Sequence, residues 1–197
     1  ISFLACPDDS NSLYIENNNL KCEFCEKKFR IINENTVELL PTESFEITAD
    51  DETTKTYTKY YADLQTLGYS QDPKKKLWGI ETKTAPEGFV KTLRNFILKN
   101  IKNEIVCDVG AGSGDYSLLL AKKSKYVFHC DLDLEAIMAA KESAKKHNLK
   151  NILFVHCNYF SLPFKDDSLQ NITCIDVLER GREHDKKLIV EISKKLQ

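Results

Sequence analysis

Apolar and polar positions change period several times along the chain, and each change marks an element. Short apolar runs at 105–109 (Ile105, Val106 and Val109 around Cys107), 126–130 and 152–156 read as buried strands. Between them lie helical patterns. Tyr116, Leu118, Leu119, Leu120 and Ala121 form one, and "LEAIMAAKESAKKHN" forms the next, with Ile137, Ala140 and Ala144 on one face and lysines gathered at its C-terminal end. Asp133 stands where the N-cap of that second helix belongs. Upstream, Pro86 to Asn100 predicts a helix whose stripe of Phe89, Leu93, Phe96 and Ile97 lies against the sheet. Downstream, "LPFKDDSLQNITCIDVLE" leads into a fourth strand, followed by a helix over 183–196. The alternation predicts an α/β fold with a doubly wound parallel sheet.

The first 41 residues follow another rhythm, with polar turns separating short strand-like pieces, which predicts a small β ribbon. Residues 42–85 are polar and rich in Thr, Asp and Lys, with little periodicity before "TYTKYYADLQTLGY". Three regions follow: a ribbon at 1–41, a linker or lid at 42–85, and the main domain at 86–197. With 197 residues and 42% hydrophobic composition, the chain buries one ordinary core and a small addition. A formal charge of −2 gives no basic field to attract nucleic acid. The lysine runs are scattered over helix faces, leaving a local RNA-binding patch as the alternative to simple solvation. No apolar run of membrane-spanning length and no secretory leader are visible in the sequence, which does not begin with Met, and a cytoplasmic enzyme is the expectation.

Within "VCDVGAGSGDYSLLLA" a strand ends at an acid, passes through three alternate glycines and becomes a helix. Glycine permits both the sharp turn and the close approach of a ligand to the main chain. The dinucleotide fingerprint fails in either frame, because its third glycine falls on Asp115 or Ser117. An acid in the first helical turn repels a pyrophosphate and suits a cation. The stretch resembles the first motif of class I S-adenosylmethionine-dependent methyltransferases, matched by Asp108, Gly110, Gly112 and Gly114. The resemblance implies a Rossmann-like sheet of strand order 3-2-1-4 and a cofactor site including Ala111. It also implies that Asp131, in "HCDLD", takes the ribose hydroxyls, with Leu132 beside it. Asn158 stands where the family has an adenine-binding Asp, and its amide oxygen can accept the same hydrogen bond. Tyr159 and Phe160 either cover the adenine or fill the core beneath the loop.

The seven cysteines fall into two sets. Cys107, Cys130, Cys157 and Cys174 lie in or beside predicted strands and act as small hydrophobes. Cys6, Cys22 and Cys25 sit in the ribbon, where "CEFC" has the spacing of half a zinc ribbon and Asp9 takes the place of a fourth cysteine. Cys6, Asp9, Cys22 and Cys25 are thus a candidate zinc set, weakened by one hard oxygen; the alternative is a ribbon that holds no metal and survives on packing. The stretch resembles the zinc-ribbon leader of some methyltransferases, including a bacterial ribosomal-RNA guanine methyltransferase.

Methyl transfer depends chiefly on positioning, and a base is required only when the acceptor carries a proton. Asp176, after the fourth strand, is the first candidate, ahead of Glu179 and His184. Tyr57, Tyr60, Tyr61 and Trp78 are the aromatic candidates for a lid over the sulfonium. A small molecule or biosynthetic intermediate is the expected acceptor. Ribosomal or transfer RNA methylation is the second reading, and a non-catalytic cofactor-binding or scaffold protein is the third. The resembling family continues with a turn and three more strands, which implies an incomplete sheet here: either a fragment, or an enzyme whose fourth-strand edge a partner chain covers.

Overall fold

The structure, a computed structural model, describes residues 1–43, 87–101, 103–177 and 184–197. The lid candidates Tyr57, Tyr60, Tyr61 and Trp78, together with Pro86 and Glu179, lie outside the described residues, as do the side chains of Phe89 and His184. Among the described residues, eight strands form a single sheet. In chain order they are β1 (Leu13–Glu16), β2 (Asn19–Cys22), β3 (Lys28–Asn33), β4 (Thr36–Leu39), β5 (Ile105–Val109), β6 (Tyr126–Asp131), β7 (Ile152–Cys157) and β8 (Asn171–Cys174). The helices among the described residues are α1 (Glu87–Asn100), α2 (Asp115–Ala121), α3 (Leu134–Lys146) and α4 (His184–Lys195).

The order across the sheet is β1-β2-β3-β4-β7-β6-β5-β8. Strands β7, β6, β5 and β8 are parallel and give the expected 3-2-1-4 arrangement. On one face, Ile97 and Ile101 from the α1 end, Leu118 and Leu120 of α2, and Ile137, Ala140 and Ala144 of α3 pack with Val106, Val127, Ile152 and Phe154. The opposite face buries Cys107, Val109, Phe128, Cys130, Val155 and Cys157 under Leu188 of α4 and residues of the N-terminal region, including Leu4, Leu20 and Phe29. Successive strand residues thus serve opposite layers, as the pleat requires.

Two expectations need correction. The ribbon is not a separate appendage: β4 pairs in parallel with β7, from Thr36 opposite Phe154 to Leu39 opposite Cys157, and extends the main sheet. The physical reason is that β7 would otherwise present an open, apolar edge. The α1 stripe is also narrower than predicted. Ile97 is 8% exposed but Phe96 is 66% exposed, because Leu93, Ile97 and Ile101 share one face at four-residue intervals and Phe96 lies a quarter-turn away.

The ribbon hairpin turns at Asn17 and Asn18, both at positive φ, as a two-residue turn between antiparallel strands demands. Asp133 caps α3 as predicted, its carboxylate accepting from the amides of Glu135 and Ala136. The four strand cysteines are free thiols packed in or against the core.

Candidate cofactor site and metal knuckle

The carboxyl ends of β5, β6 and β7 lie side by side, and the glycine turn leaves from the middle of them. Gly110, Gly112 and Gly114 have φ values of 66°, 53° and 87°. All three occupy the left-handed region that residues with a Cβ avoid. Two of them also admit a neighbour. A Cβ on Gly110 would strike Val177, and one on Gly114 would lie 2.8 Å from the Ala140 Cβ. Gly114 therefore allows α2 and α3 to approach, while Gly110 lets the turn after β8 pack against the glycine loop.

Asp131, at the end of β6, ties the loop down. Its Oδ2 accepts from the Gly112 amide at 2.7 Å and its Oδ1 accepts from the Asp133 amide at 2.8 Å. The Ala111 amide donates to the Cys130 carbonyl at 3.1 Å. Asp131 is half-buried, and burial raises its carboxyl above the ordinary range while these amides pull it back. Each carboxylate oxygen keeps lone-pair capacity for a further donor. Leu132, beside it, is exposed.

Asp108 is placed differently from the expectation. It is 2% exposed, and its two oxygens accept from the Ser117 hydroxyl at 2.6 Å and the Thr173 hydroxyl at 2.7 Å. The register explains this enclosure, since Thr173, Asp108 and His129 lie opposite one another across β8, β5 and β6, with α2 supplying Ser117 above. Ser117 Oγ is also 2.9 Å from His129 Nδ1. With Ser117 donating to Asp108, His129 donates to Ser117 through Nδ1. Burial lifts Asp108 to about 6, against the pull of the two hydroxyls, and depresses His129 to about 3. Asp108 thus holds the strand, the helix and the glycine turn together from behind.

Asp115, the acid that excluded the dinucleotide fingerprint, has a fully enclosed Oδ1 without a hydrogen-bond partner among the described residues. Burial raises it to about 7, the Arg94 guanidinium of α1 works in the opposite direction, and Asp108 adds to the rise. Arg94 was not singled out from the sequence, because a lone basic residue on an amphipathic helix carries no signal. Asp176 is exposed, with a left-handed φ of 58°, and precedes the Val177 that packs on Gly110. It therefore sits beside the loop.

Asn158 is buried, and its Oδ1 accepts from the Phe160 amide at 2.9 Å. It shapes the loop after β7, and the same amide oxygen keeps a lone pair for a second donor. Tyr159 and Phe160 pack edge-on with ring centroids 4.5 Å apart and rest partly buried against the core. His156 joins this side to the ribbon: Nδ1 lies 3.0 Å from Glu38 Oε2 and Nε2 lies 3.0 Å from the Leu132 carbonyl.

The candidate metal residues do converge. One ligand atom from each of Cys6, Asp9, Cys22 and Cys25 lies within 4.8 Å of every other. A tetrahedral zinc with sulfur at about 2.3 Å and oxygen at about 2.0 Å requires edges of about 3.8 Å between sulfurs and about 3.5 Å between sulfur and oxygen. Cys6 Sγ and Cys25 Sγ are 3.7 Å apart, and Cys22 Sγ is 3.4 Å from both Asp9 oxygens. These two separations match edges of such an ion, the remaining ones are within 4.8 Å, and three thiols with one carboxylate are donors that zinc accepts. Burial raises the Cys6 thiol. Asp9, despite the opposing effect of burial, is held down to about 2 by the Asn11 amide and the surrounding thiols.

A parallel sheet in this order, with a glycine turn at its switch point and an acid closing on that turn, defines a Rossmann-like fold. Residues 106–197 match the family described as a methyltransferase domain, and the chain has a Rossmann-like α/β fold that a solved methyltransferase shares. An uncharacterized RNA methyltransferase of Mycoplasma mobile is 29% identical over 141 residues, covering 68% of this chain and 37% of its own length. A ubiquinone/menaquinone biosynthesis C-methyltransferase of Rickettsia prowazekii is 37% identical over 78 residues, covering 36% of this chain and 32% of its own. Phosphoethanolamine N-methyltransferase 1 of Haemonchus contortus, solved with phosphoethanolamine and S-adenosylhomocysteine, shares the fold over 73% of this chain and 30% of its own, with a TM-score of 0.52 and 16% identity. The chain spans less than half the length of each of these proteins.

Proposed function

We propose that this protein binds S-adenosylmethionine at the glycine turn and transfers its methyl group to a small molecule or biosynthetic intermediate in the cytoplasm. One observation carries the reading: the Asp131 carboxylate closes on the Gly112 amide at 2.7 Å, which sets an acid with spare lone pairs beside a turn whose alternate residues are glycine. Asp131 would accept the ribose hydroxyls, with Ala111, Gly112, Leu132 and Tyr159 around them. Asp108 and Gly114 act as positioning residues, and Asn158 holds the loop on the adenine side. The cofactor supplies an electrophilic methyl carbon on a sulfonium. Asp115 and Asp131 give the site a negative balance that suits this cation and opposes a pyrophosphate. Asp176 takes the proton when the acceptor is a hydroxyl or a protonated amine.

RNA methylation is the second reading, favoured by the Mycoplasma mobile relative, whose similarity extends over 68% of the chain. Labelled methyl donor added to fractionated extract separates the two, through label in the small-molecule or the RNA fraction. Label in neither, with the cofactor bound, would point to a scaffold role. The N-terminal knuckle is proposed to hold a structural zinc on Cys6, Asp9, Cys22 and Cys25, closing the ribbon rather than joining the chemistry. Among the described residues no helix is long and apolar enough to cross a membrane.

A further inference from the structure

The knuckle and the cofactor-side loop are not independent. Cys6 lies between two residues that hydrogen-bond the loop following β7. The Ala5 amide donates to the Pro163 carbonyl at 2.9 Å, and the Ser161 hydroxyl donates to the Pro7 carbonyl. The Lys165 amide donates to the Phe3 carbonyl at 2.9 Å, and Leu4 bridges Phe164 in antiparallel fashion. Residues 3–7 are therefore stitched along residues 161–165. The other end of the same loop is Asn158, whose carbonyl accepts from the Ser161 amide at 3.1 Å and whose side chain accepts from the Phe160 amide. A continuous path of backbone and hydrogen bonds runs from a metal ligand, Cys6, through Pro7 and Ser161 to Asn158 and Tyr159.

We propose that metal at the knuckle and cofactor at the glycine turn bind cooperatively, coupled through the loop from Asn158 to Phe164. The inference rests on both binding readings given above. The coupling is physical: four ligands gathered around one ion fix the course of residues 6–9, and so the position of the Pro7 carbonyl that Ser161 uses. Without the ion, nothing covalent holds Cys6 to Cys22 and Cys25, so the strap over the loop is looser. The cofactor must then order that loop at its own expense. Linkage makes the effect reciprocal, so the factor by which zinc tightens the cofactor equals the factor by which the cofactor tightens zinc.

The test uses the intact chain. Calorimetric affinity for S-adenosylhomocysteine is measured in zinc-loaded and chelator-stripped protein, and zinc affinity is measured by competition with a chromophoric chelator, with and without S-adenosylhomocysteine. A coupling of roughly 5- to 50-fold is expected, the same in both directions. Ser161→Ala leaves every metal ligand in place. It should retain zinc, bind S-adenosylhomocysteine more weakly than the zinc-loaded parent, and lose most of the reciprocal shift in zinc affinity. A merely structural serine would weaken binding without changing that shift. If both ligands bind with a coupling factor of one, or if Ser161→Ala keeps the full factor, the inference falls alone. If zinc or S-adenosylhomocysteine fails to bind intact protein, it falls together with the reading it rests on.

Discussion

Asp115 and Asp131 show how single residues set the character of the site. Asp115 is raised to about 7, well above an unfolded carboxyl near 4. Its protonated form favours the fold, so that stability is complete below about pH 4 and is lost as pH rises through about 7. Asp115→Asn removes the loss and should stabilise the protein by on the order of 2 kcal/mol at pH 8, with little change at pH 4, measured by denaturant unfolding at the two pH values. A cationic ligand prefers these acids ionised. The preference for S-adenosylmethionine over its uncharged thioether product should therefore grow several-fold between pH 5.5 and 8; a ratio independent of pH would count against a sulfonium beside them. Asp176→Asn keeps a residue that tolerates the left-handed φ. It should lower kcat by about 100-fold with S-adenosylhomocysteine affinity unchanged, provided the acceptor carries a proton. At this scale the sequence located Asp131 and the three glycines at one turn, because contiguous spacing marks the ends of β5 and β6. It did not expose the enclosure of Asp108, since Ser117, Thr173 and His129 meet only through sheet register.

Among the elements, the contact between α2 and α3 turns on one missing Cβ. Gly114→Ala places a methyl group 2.8 Å from Ala140 Cβ at a φ of 87°. It should cost roughly 2–4 kcal/mol, the sum of left-handed strain and overpacking. Adding Ala140→Gly relieves the clash but not the dihedral, so the double variant should recover part of the loss in thermal unfolding. No recovery would mean that the helices do not meet there. Strands β5 to β7 and helices α2 to α4 were legible because their period and caps are local. The Phe96 face of α1 was not, since a stripe four residues wide fits the pattern as well as the narrower Leu93, Ile97 and Ile101 face that the core accepts.

For the whole molecule, the main departure is that the ribbon and the methyltransferase-type sheet are continuous. Pairing of β4 with β7 joins segments far apart in sequence, and neither strand carries a local mark of its partner. The cysteine spacing pointed to Cys6, Cys22 and Cys25, and the structure brings them together with Asp9, their ligand atoms within 4.8 Å of one another. Purified protein should contain one zinc per chain by elemental analysis. Asp9→Cys, which restores a soft sulfur, should tighten zinc by at least about 10-fold in chelator competition. The most direct test of the whole is calorimetry on intact, zinc-loaded protein, titrated separately with S-adenosylhomocysteine, a nicotinamide dinucleotide and a flavin nucleotide. A methyl-donor site predicts one-to-one binding of S-adenosylhomocysteine, weakened at least about 10-fold by Asp131→Ala, and no heat from the other two. Binding of either redox nucleotide, with no heat from S-adenosylhomocysteine, would contradict it.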